Sequence, residues 1–184
     1  MNTIEHWMSW EGGVDLVAMT RAGLAMPNVI VHVARMVHTP VGSAPAGMIF
    51  WQPDPSAAPL AMGFVSTDMN VAKYFGPTIF AGTPFEGAPA LLASISVELN
   101  SQGAIAKIES AGLRFETRLK GLGAAELIHR PAAAMSPFFQ QGIESRAAEA
   151  ELLVNGEKVS IIVPAFGMSG GPGALVSGCG LYAR

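Results

Sequence analysis

The stretch that decides the predicted fold class is AIAKIESAGLRFETRL, residues 104–119. After Gly112, apolar or small side chains alternate strictly with charged ones. Successive side chains of a β-strand point to opposite faces, so this alternation is typical of a half-exposed antiparallel strand. The pair Ala111-Gly112 separates it from an earlier β-like run. The sequence therefore predicts a hairpin of strands 104–110 and 113–119.

Other segments carry the same kind of signal. Asn155-Gly156, within AELLVNGEKVSIIV, is a strong signal for a two-residue hairpin turn. Residues 29–39, VIVHVARMVHT, are apolar and β-branched at both parities, as expected of a strand covered on both faces. The remaining predicted strands are 48–52, 60–67, 91–99 and 174–182.

Helices are predicted in three places. Residues 3–25 carry apolar side chains at roughly helical spacing, with a break at Gly12-Gly13. Asp68 is predicted to cap one helical turn over 68–74, and residues 136–150 are predicted to be helical. The sum is a mainly β (β-rich α+β) protein with one antiparallel sandwich or barrel-like domain over residues 1–184. A helical segment, 1–28, precedes a β core, 29–184, that can enclose an apolar cavity.

The amino-acid composition indicates which kinds of molecule the protein binds. Half of the residues are hydrophobic and 14% are charged, against roughly 25% charged in an average soluble domain. So few charges predict apolar surface buried between subunits, hence a homo-oligomer. The net charge of −3 and scattered basic residues give no footprint for nucleic acid.

The sequence also bears on membranes, location and cysteine chemistry. Prolines and glycines interrupt the longest charge-free run, 159–183, so no membrane span is predicted. The first residues lack the basic patch and apolar core of a signal peptide, which predicts a cytoplasmic protein. The single cysteine, Cys179, excludes an internal disulfide and a cysteine metal cage. No metal or other cofactor is predicted.

The clearest pointer to chemistry is a lone acid. Residues 74–97 carry a single charged side chain, Glu86, in a run punctuated by glycine and proline. A carboxyl group in a poorly solvated pocket has a raised pKa and can serve as an acid near neutral pH. The local sequence PFEG suits an exposed surface turn equally well, so both interpretations stay open.

Further candidates surround Glu86 or lie on the strand 29–39. We expect Tyr74 and His38 to be hydrogen-bonding partners or the alternative acid. His32 and His38 are six residues apart and should share a strand face, roughly 20 Å apart, too far for one metal ion. The predicted substrate-binding residues are Phe75, Phe80, Phe85, His32 and Met36.

The sequence GMSGG, residues 167–171, matches the nucleophile elbow of hydrolases. That motif needs a following helix and a later histidine. Here Pro172 follows and no histidine lies beyond His129. An irregular turn is therefore the favoured interpretation.

About half of the chain, residues 29–120, resembles the acetoacetate decarboxylase-like superfamily. VIVHVARMVHTPVG is similar to that family's early strand, and MGFVSTDMNVAKYFGPTIFAGTPFEGAP to its strand, short helix and Gly-Arg-Glu…Pro-Lys-Lys segment. The hairpin around Ala111-Gly112 sits where the family has a similar one. The resemblance implies that family's fold and an apolar central pocket.

The chain departs from the family at the reactive position. The family decarboxylates through a Schiff-base lysine in its Pro-Lys-Lys element, where this chain has Pro84-Phe85-Glu86-Gly87. Thr83 stands where the arginine would follow Gly82. The imine route should therefore be absent.

The functional hypothesis is a cofactor-independent lyase or isomerase. It would act by acid/base catalysis on a small hydrophobic oxygenated molecule such as a terpene epoxide. In size and expected chemistry, though without a shared motif, the chain is similar to the bacterial α-pinene oxide lyases. The alternatives are a non-catalytic β-barrel that binds a lipophilic ligand, and a keto-acid decarboxylase that uses Lys73 as its amine.

Overall fold

The computed structural model describes residues 5–132, 137–167 and 170–184. Within these ranges the chain is mainly β and barrel-like, which confirms the predicted fold class. The strands are β1 (Trp7–Ala18), β2 (Val29–Thr39), β3 (Gly42–Trp51), β4 (Ala61–Ser66), β5 (Ala90–Leu92), β6 (Ser94–Asn100), β7 (Gly103–Ser110), β8 (Leu113–Leu122), β9 (Glu126–Arg130), β10 (Phe139–Val154), β11 (Glu157–Val159) and β12 (Ala174–Ala183).

These strands form one curled sheet in the order β5-β4-β3-β2-β1-β12-β10-β8-β7-β6, and β9 and β11 also pair with β10. All pairs are antiparallel except β4 with β5. The sheet curls far enough for β6 to contact β1, β2 and β3. It thereby encloses an apolar core, called here the enclosed core. The largest side chains of this core include Leu16, Ile49, Ile108, Phe115, Leu119 and Leu152, and each stabilises the fold by about 1.5–3 kcal/mol.

A second apolar cluster lies on the opposite face of β1–β4, called here the outer face. It is covered by helix α1 (Met69–Tyr74) and by a π-helical turn, Phe75–Ile79, that continues the helix. The side chain of Asp68 accepts a hydrogen bond of 2.8 Å from the Asn70 N–H, so the predicted capped turn is confirmed. No helix in the described ranges is long and apolar enough to cross a membrane.

Both predicted hairpin turns are confirmed. Ala111 and Gly112 have φ values of 51° and 77°, and Asn155 and Gly156 have 53° and 85°. Two successive positive φ values define the type I′ turn, whose twist matches that of the strands it joins. The first turn joins β7 to β8 and the second joins β10 to β11.

The predicted N-terminal helix is wrong, because residues 7–18 form strand β1. This strand lies between β2 and β12, and protein covers it on both faces. Apolar residues therefore occur at both parities and imitate a helical stripe. Gly12 has a φ of 64°, a backbone conformation that favours glycine, at the position where the sequence predicts a break in a helix.

The predicted helix over residues 136–150 is also wrong. Most of that segment belongs to β10, while Ser136 lies outside the described residues, as do Met168 and Ser169 of the GMSGG sequence. The run ESRAAEAELL favours a helix by intrinsic propensity. Its strand form makes ladders with β8, β9, β11 and β12, and these tertiary contacts outweigh the local preference.

Candidate active site

A cavity of about 210 Å³ lies on the outer face of the sheet. Its walls come from β1, β2 and β3 on one side and from the segment that runs from α1 to residue 85 on the other. Most of the lining is apolar, and much of it is aromatic. The aromatic lining residues are Trp10, Phe64, Phe75, Phe80, Phe85, Phe138 and Tyr182.

Small side chains in register leave the space for this cavity. Gly13, Ala34 and Ala46 are successive cross-strand partners on β1, β2 and β3, and all three line it. A Cβ atom at Gly13 would lie 3.2 Å from both Ser177 and Trp10. Gly13 therefore has little room for a side chain, and the methyl groups of Ala34 and Ala46 occupy little of the space above them.

The π-helical turn builds the aromatic wall. Phe75 and Phe80 are one π-turn apart, and the Phe80 N–H donates a 2.9 Å hydrogen bond to the Phe75 carbonyl. The Phe64 ring lies between them, with ring centroids 5.5 Å from Phe75 and 5.0 Å from Phe80. Since π-turns place residues i and i+5 on one side, this rare turn directs both rings toward the cavity.

Two polar side chains interrupt the apolar lining. Asp15 on β1 and His32 on β2 are cross-strand partners, and Asp15 Oδ1 lies 4.0 Å from His32 Nδ1. Their side chains are 29% and 28% exposed, respectively. Both residues line the cavity. Among the described lining residues, Asp15 is the one acid.

Burial shifts the pKa values of Asp15 and His32 in the directions that favour their uncharged forms. It raises the pKa of Asp15 to about 7, with a further rise from the Glu144 charge and a partial opposing effect of Arg130. Burial lowers the pKa of His32 to about 4, against a smaller opposing effect of Glu144. At neutral pH His32 is uncharged and Asp15 is poised between its two forms, so the 4.0 Å contact is not an ordinary ion pair.

An ion pair lies behind this site. Arg130 on β9 holds Glu144 on β10 through two parallel hydrogen bonds of 2.7 Å. Gln140 donates to the same carboxylate at 3.2 Å and accepts from Arg130 at 3.1 Å. Glu144 is 6% exposed. The three side chains form a nearly buried network whose charges act on Asp15 and His32.

Four of the residues predicted to bind substrate line the cavity: Phe75, Phe80, Phe85 and His32. Three elements bring them together, namely the π-helical turn, the loop after it, and β2. Their contact with a substrate stays a prediction.

Glu86 lies elsewhere. It is exposed, it is not among the cavity-lining residues, and its carboxylate accepts a 2.7 Å hydrogen bond from the Gly82 N–H. Of the two interpretations of Glu86, a pocket acid or a surface turn, the structure agrees with the surface turn. Lys73, the amine of the decarboxylase alternative, is also exposed.

His38 and Met36 also lie away from the cavity lining. The register of β2 against β3 shifts between Ala34 and Val37, so one extra residue reverses the facing of the strand beyond this point. The expectation that His32 and His38 share a face is therefore wrong. His38 Nδ1 lies 2.9 Å from Ser43 Oγ, and Nε2 lies 3.1 Å from Glu11 Oε1.

Tyr74 is buried next to the cavity but does not line it. Its hydroxyl donates to the Trp7 carbonyl at 3.0 Å and accepts from the Trp7 N–H at 3.2 Å. Both of these hydrogen bonds are to the backbone of β1. The described contacts give Tyr74 the role of tying α1 to the sheet.

Asp15 is the functional candidate that the sequence did not yield. It lies in GGVDLVA, whose apolar spacing predicts a helix but which belongs to strand β1. The available signal was an acid inside an otherwise apolar run, the same signal that drew attention to Glu86.

No family model, no characterised protein and no solved structure matches the chain. The resemblance to the acetoacetate decarboxylase-like superfamily therefore stays a prediction. In the described parts of the chain, no group of three or more histidine, cysteine, aspartate or glutamate side chains is placed to hold a metal ion.

Proposed function

We propose that this protein is a cofactor-independent lyase or isomerase, and that Asp15 is its general acid. The substrate is a small, largely apolar molecule with one reactive oxygen, such as a terpene epoxide. The observation that carries the proposal is an acid with a pKa of about 7 on the wall of an apolar cavity.

The properties of Asp15 suit proton transfer near neutral pH. General acids are most effective when their pKa lies near the operating pH. An aspartate with an ordinary pKa near 4 would be almost fully ionised at pH 7 and would have few protons to give. The raised pKa of Asp15 keeps a large fraction protonated there.

The proposed reaction is balanced without a cofactor. Asp15 transfers its carboxyl proton to the substrate oxygen, and the C–O bond breaks with its electron pair leaving on that oxygen. A neighbouring C–H bond then gives its proton back to the Asp15 carboxylate, and its electron pair forms a C=C bond. His32, uncharged beside Asp15, adds no positive charge that would hold the carboxyl ionised.

Size and charge favour a neutral substrate. Since an engineered cavity of roughly 150 Å³ binds benzene, the cavity of about 210 Å³ suits a molecule somewhat larger than benzene. No lysine or arginine lines the cavity in the described part of the chain. A keto-acid carboxylate would therefore find no cation, and with Lys73 exposed we do not propose the decarboxylase alternative.

The test is turnover of a panel of terpene epoxides, cyclic ethers, ketones and keto acids by the wild type and Asp15→Asn. Asparagine keeps the shape but has no proton of suitable acidity, so we expect kcat/KM for the best substrate to fall by roughly 100-fold or more. Glu86→Gln makes the same chemical change outside the cavity and should leave turnover unchanged. Wild-type turnover that Asp15→Asn retains would contradict the proposal.

The alternative is a protein that binds a lipophilic ligand without reaction. The mostly apolar and aromatic cavity lining favours it. Product analysis separates the two functions. A protein that binds members of the panel but converts none of them, in wild type as in Asp15→Asn, would be a binding protein.

A homo-oligomer and a cytoplasmic location remain predictions. Leu127 and Phe166 are 75% and 74% exposed, which supports an interface that covers apolar surface. Light scattering after size exclusion should give a mass at least twice the 19.2 kDa of one chain, and a mass of 19.2 kDa would contradict the oligomer.

A further inference from the structure

The Arg130–Glu144 pair is a nearly buried ion pair outside the cavity lining. Glu144 is 6% exposed and the Arg130 side chain 24% exposed. The glycine at 171 closes over them, since a Cβ atom there would lie 2.7 Å from Arg130 Nη2 and 3.1 Å from Glu144 Oε2. The backbone at Gly171 therefore packs directly against a desolvated ion pair.

Stability alone is a poor reason for such a pair. Desolvation of two charges offsets much of their attraction, and well-packed apolar side chains of similar volume are often as stabilising. A buried ion pair beside a cavity therefore points to a role other than stabilising the fold.

The strand register places Glu144 on the same sheet face as Asp15. Glu144 pairs with Ser177 on β12, and Ser177 pairs with Gly13 on β1. Asp15 is two residues beyond Gly13 on the same strand face, and both line the cavity. Glu144 and Asp15 therefore belong to adjacent rows of one sheet face, two strands apart.

We propose that Glu144 is a positioning residue whose charge, together with burial, keeps the Asp15 carboxyl protonated. Arg130 and Gln140 hold the Glu144 carboxylate in place, and its negative charge disfavours a second negative charge at Asp15 across the poorly solvated face. This inference rests on the proposed function, in which Asp15 donates a proton.

The other ionisable groups that face Asp15 do not supply this effect. His32 on β2 is uncharged near neutral pH because burial lowers its pKa. Tyr182 on β12 is also neutral, because burial and the two acids raise its pKa well above the ordinary value. Arg130 on β9 acts in the opposite direction from Glu144. The described part of the α1-to-85 segment places no ionisable side chain in the cavity lining.

The experiment measures the Asp15 pKa directly by carbon-13 NMR titration of its carboxyl, assigned by its loss in Asp15→Asn. In Glu144→Gln we expect this pKa to fall by about one unit or more. The high-pH limb of kcat/KM, where the acid loses its proton, should move to lower pH by the same amount. Glu149→Gln removes an exposed charge from the same strand and should move neither.

A double variant covers the case in which Glu144→Gln leaves Arg130 uncompensated and the protein unfolds. Glu144→Gln with Arg130→Gln removes both charges. Because Glu144 affects Asp15 more strongly than Arg130 does, the pKa of Asp15 should still fall, by less. An Asp15 pKa equal to the wild-type value in the folded variants overturns the inference. A fall without turnover of any panel member supports the electrostatic role of Glu144 and overturns the proposed function.

Discussion

Strand β1 buries two faces that differ in kind. One face places Val14 and Leu16 in the enclosed core, where apolar side chains surround them. The other places Gly13 and Asp15 on the cavity, beside open space and a histidine. Both faces are covered by protein, yet one is close-packed and the other contains a desolvated acid. The same twelve residues thus stabilise the fold through one face and form the candidate site through the other.

The cavity face of β1 lowers the stability of the fold, and the enclosed core must offset that loss of free energy. Empty space removes dispersion contacts from its lining. A carboxyl without strong partners in a poorly solvated place costs free energy, and it responds by holding its proton. Four predictions, in decreasing order of effect, test this difference between the faces.

The largest effect should come from the enclosed core. Leu16 is fully buried there, and Leu16→Ala should lower the free energy of unfolding by about 2–5 kcal/mol. Urea denaturation of the purified variant measures this. Asp15→Asn, one residue away on the other face, should leave stability at pH 7 unchanged or higher. A cost for Asp15→Asn as large as that for Leu16→Ala would break the comparison.

The next effect is in the pH dependence of stability. The Asp15 pKa is raised on folding, to about 7, so its contribution is present below pH 4 and is lost as the pH rises toward 7. The His32 pKa is lowered, to about 4, so its contribution is present above pH 6.5 and is lost as the pH falls. Over the shared range the two slopes oppose each other, by at most about 1.4 kcal/mol per pH unit each.

Single variants should reveal each slope. In Asp15→Asn, stability should rise between pH 4 and 6.5, because of the two groups only His32 then titrates. In His32→Gln, stability should fall over the same range, because of the two groups only Asp15 then titrates. Unfolding free energies at half-unit steps of pH decide this, and slopes of the same sign in both variants would refute the pKa assignments.

A smaller effect is expected from filling the cavity. Ala34 belongs to the cavity floor, so Ala34→Leu should occupy space that is already open. We expect a cost below the 1–3 kcal/mol that is typical of overpacking. Binding of α-pinene oxide, used as the probe, should weaken at least tenfold in calorimetry. Ala148→Leu, at an exposed position of β10, is the matched control. Equal binding by wild type and Ala34→Leu would mean that the probe lies elsewhere.

The smallest effect should come from Glu86→Gln. Its carboxylate makes one described hydrogen bond, to the exposed turn at Gly82. Loss of that charge should change the free energy of unfolding by less than about 1 kcal/mol. Thermal unfolding and panel turnover measure the outcome. A large loss of turnover would restore Glu86 to the mechanism.

Local patterns in the sequence predicted the fold class well. The two type I′ turns and the capped turn at Asp68 depend on residues adjacent in sequence, so their signals were local. The two helix predictions failed where strands lie in the middle of the sheet. In β1 and β10, pairing with distant strands decides the structure, and the spacing of apolar residues within each segment does not indicate that pairing.

The candidate site was only partly predictable. His32 and three phenylalanines were proposed from their setting, and they do line the cavity. The sequence does not single out Asp15, because the apolar spacing of its strand predicts a helix. The register shift between Ala34 and Val37 could not be read from VIVHVARMVHT, and it separates His38 and Met36 from His32. The sequence property that singled out Glu86, an acid among apolar residues, applied equally to Asp15, and only the strand pairing distinguishes them.

The central claim is that Asp15 holds its proton near neutral pH inside an apolar cavity. Carbon-13 NMR titration of the Asp15 carboxyl in the wild-type protein tests this most directly. The structure predicts a midpoint near pH 7. A midpoint near pH 4, the ordinary value for an aspartate, would contradict it.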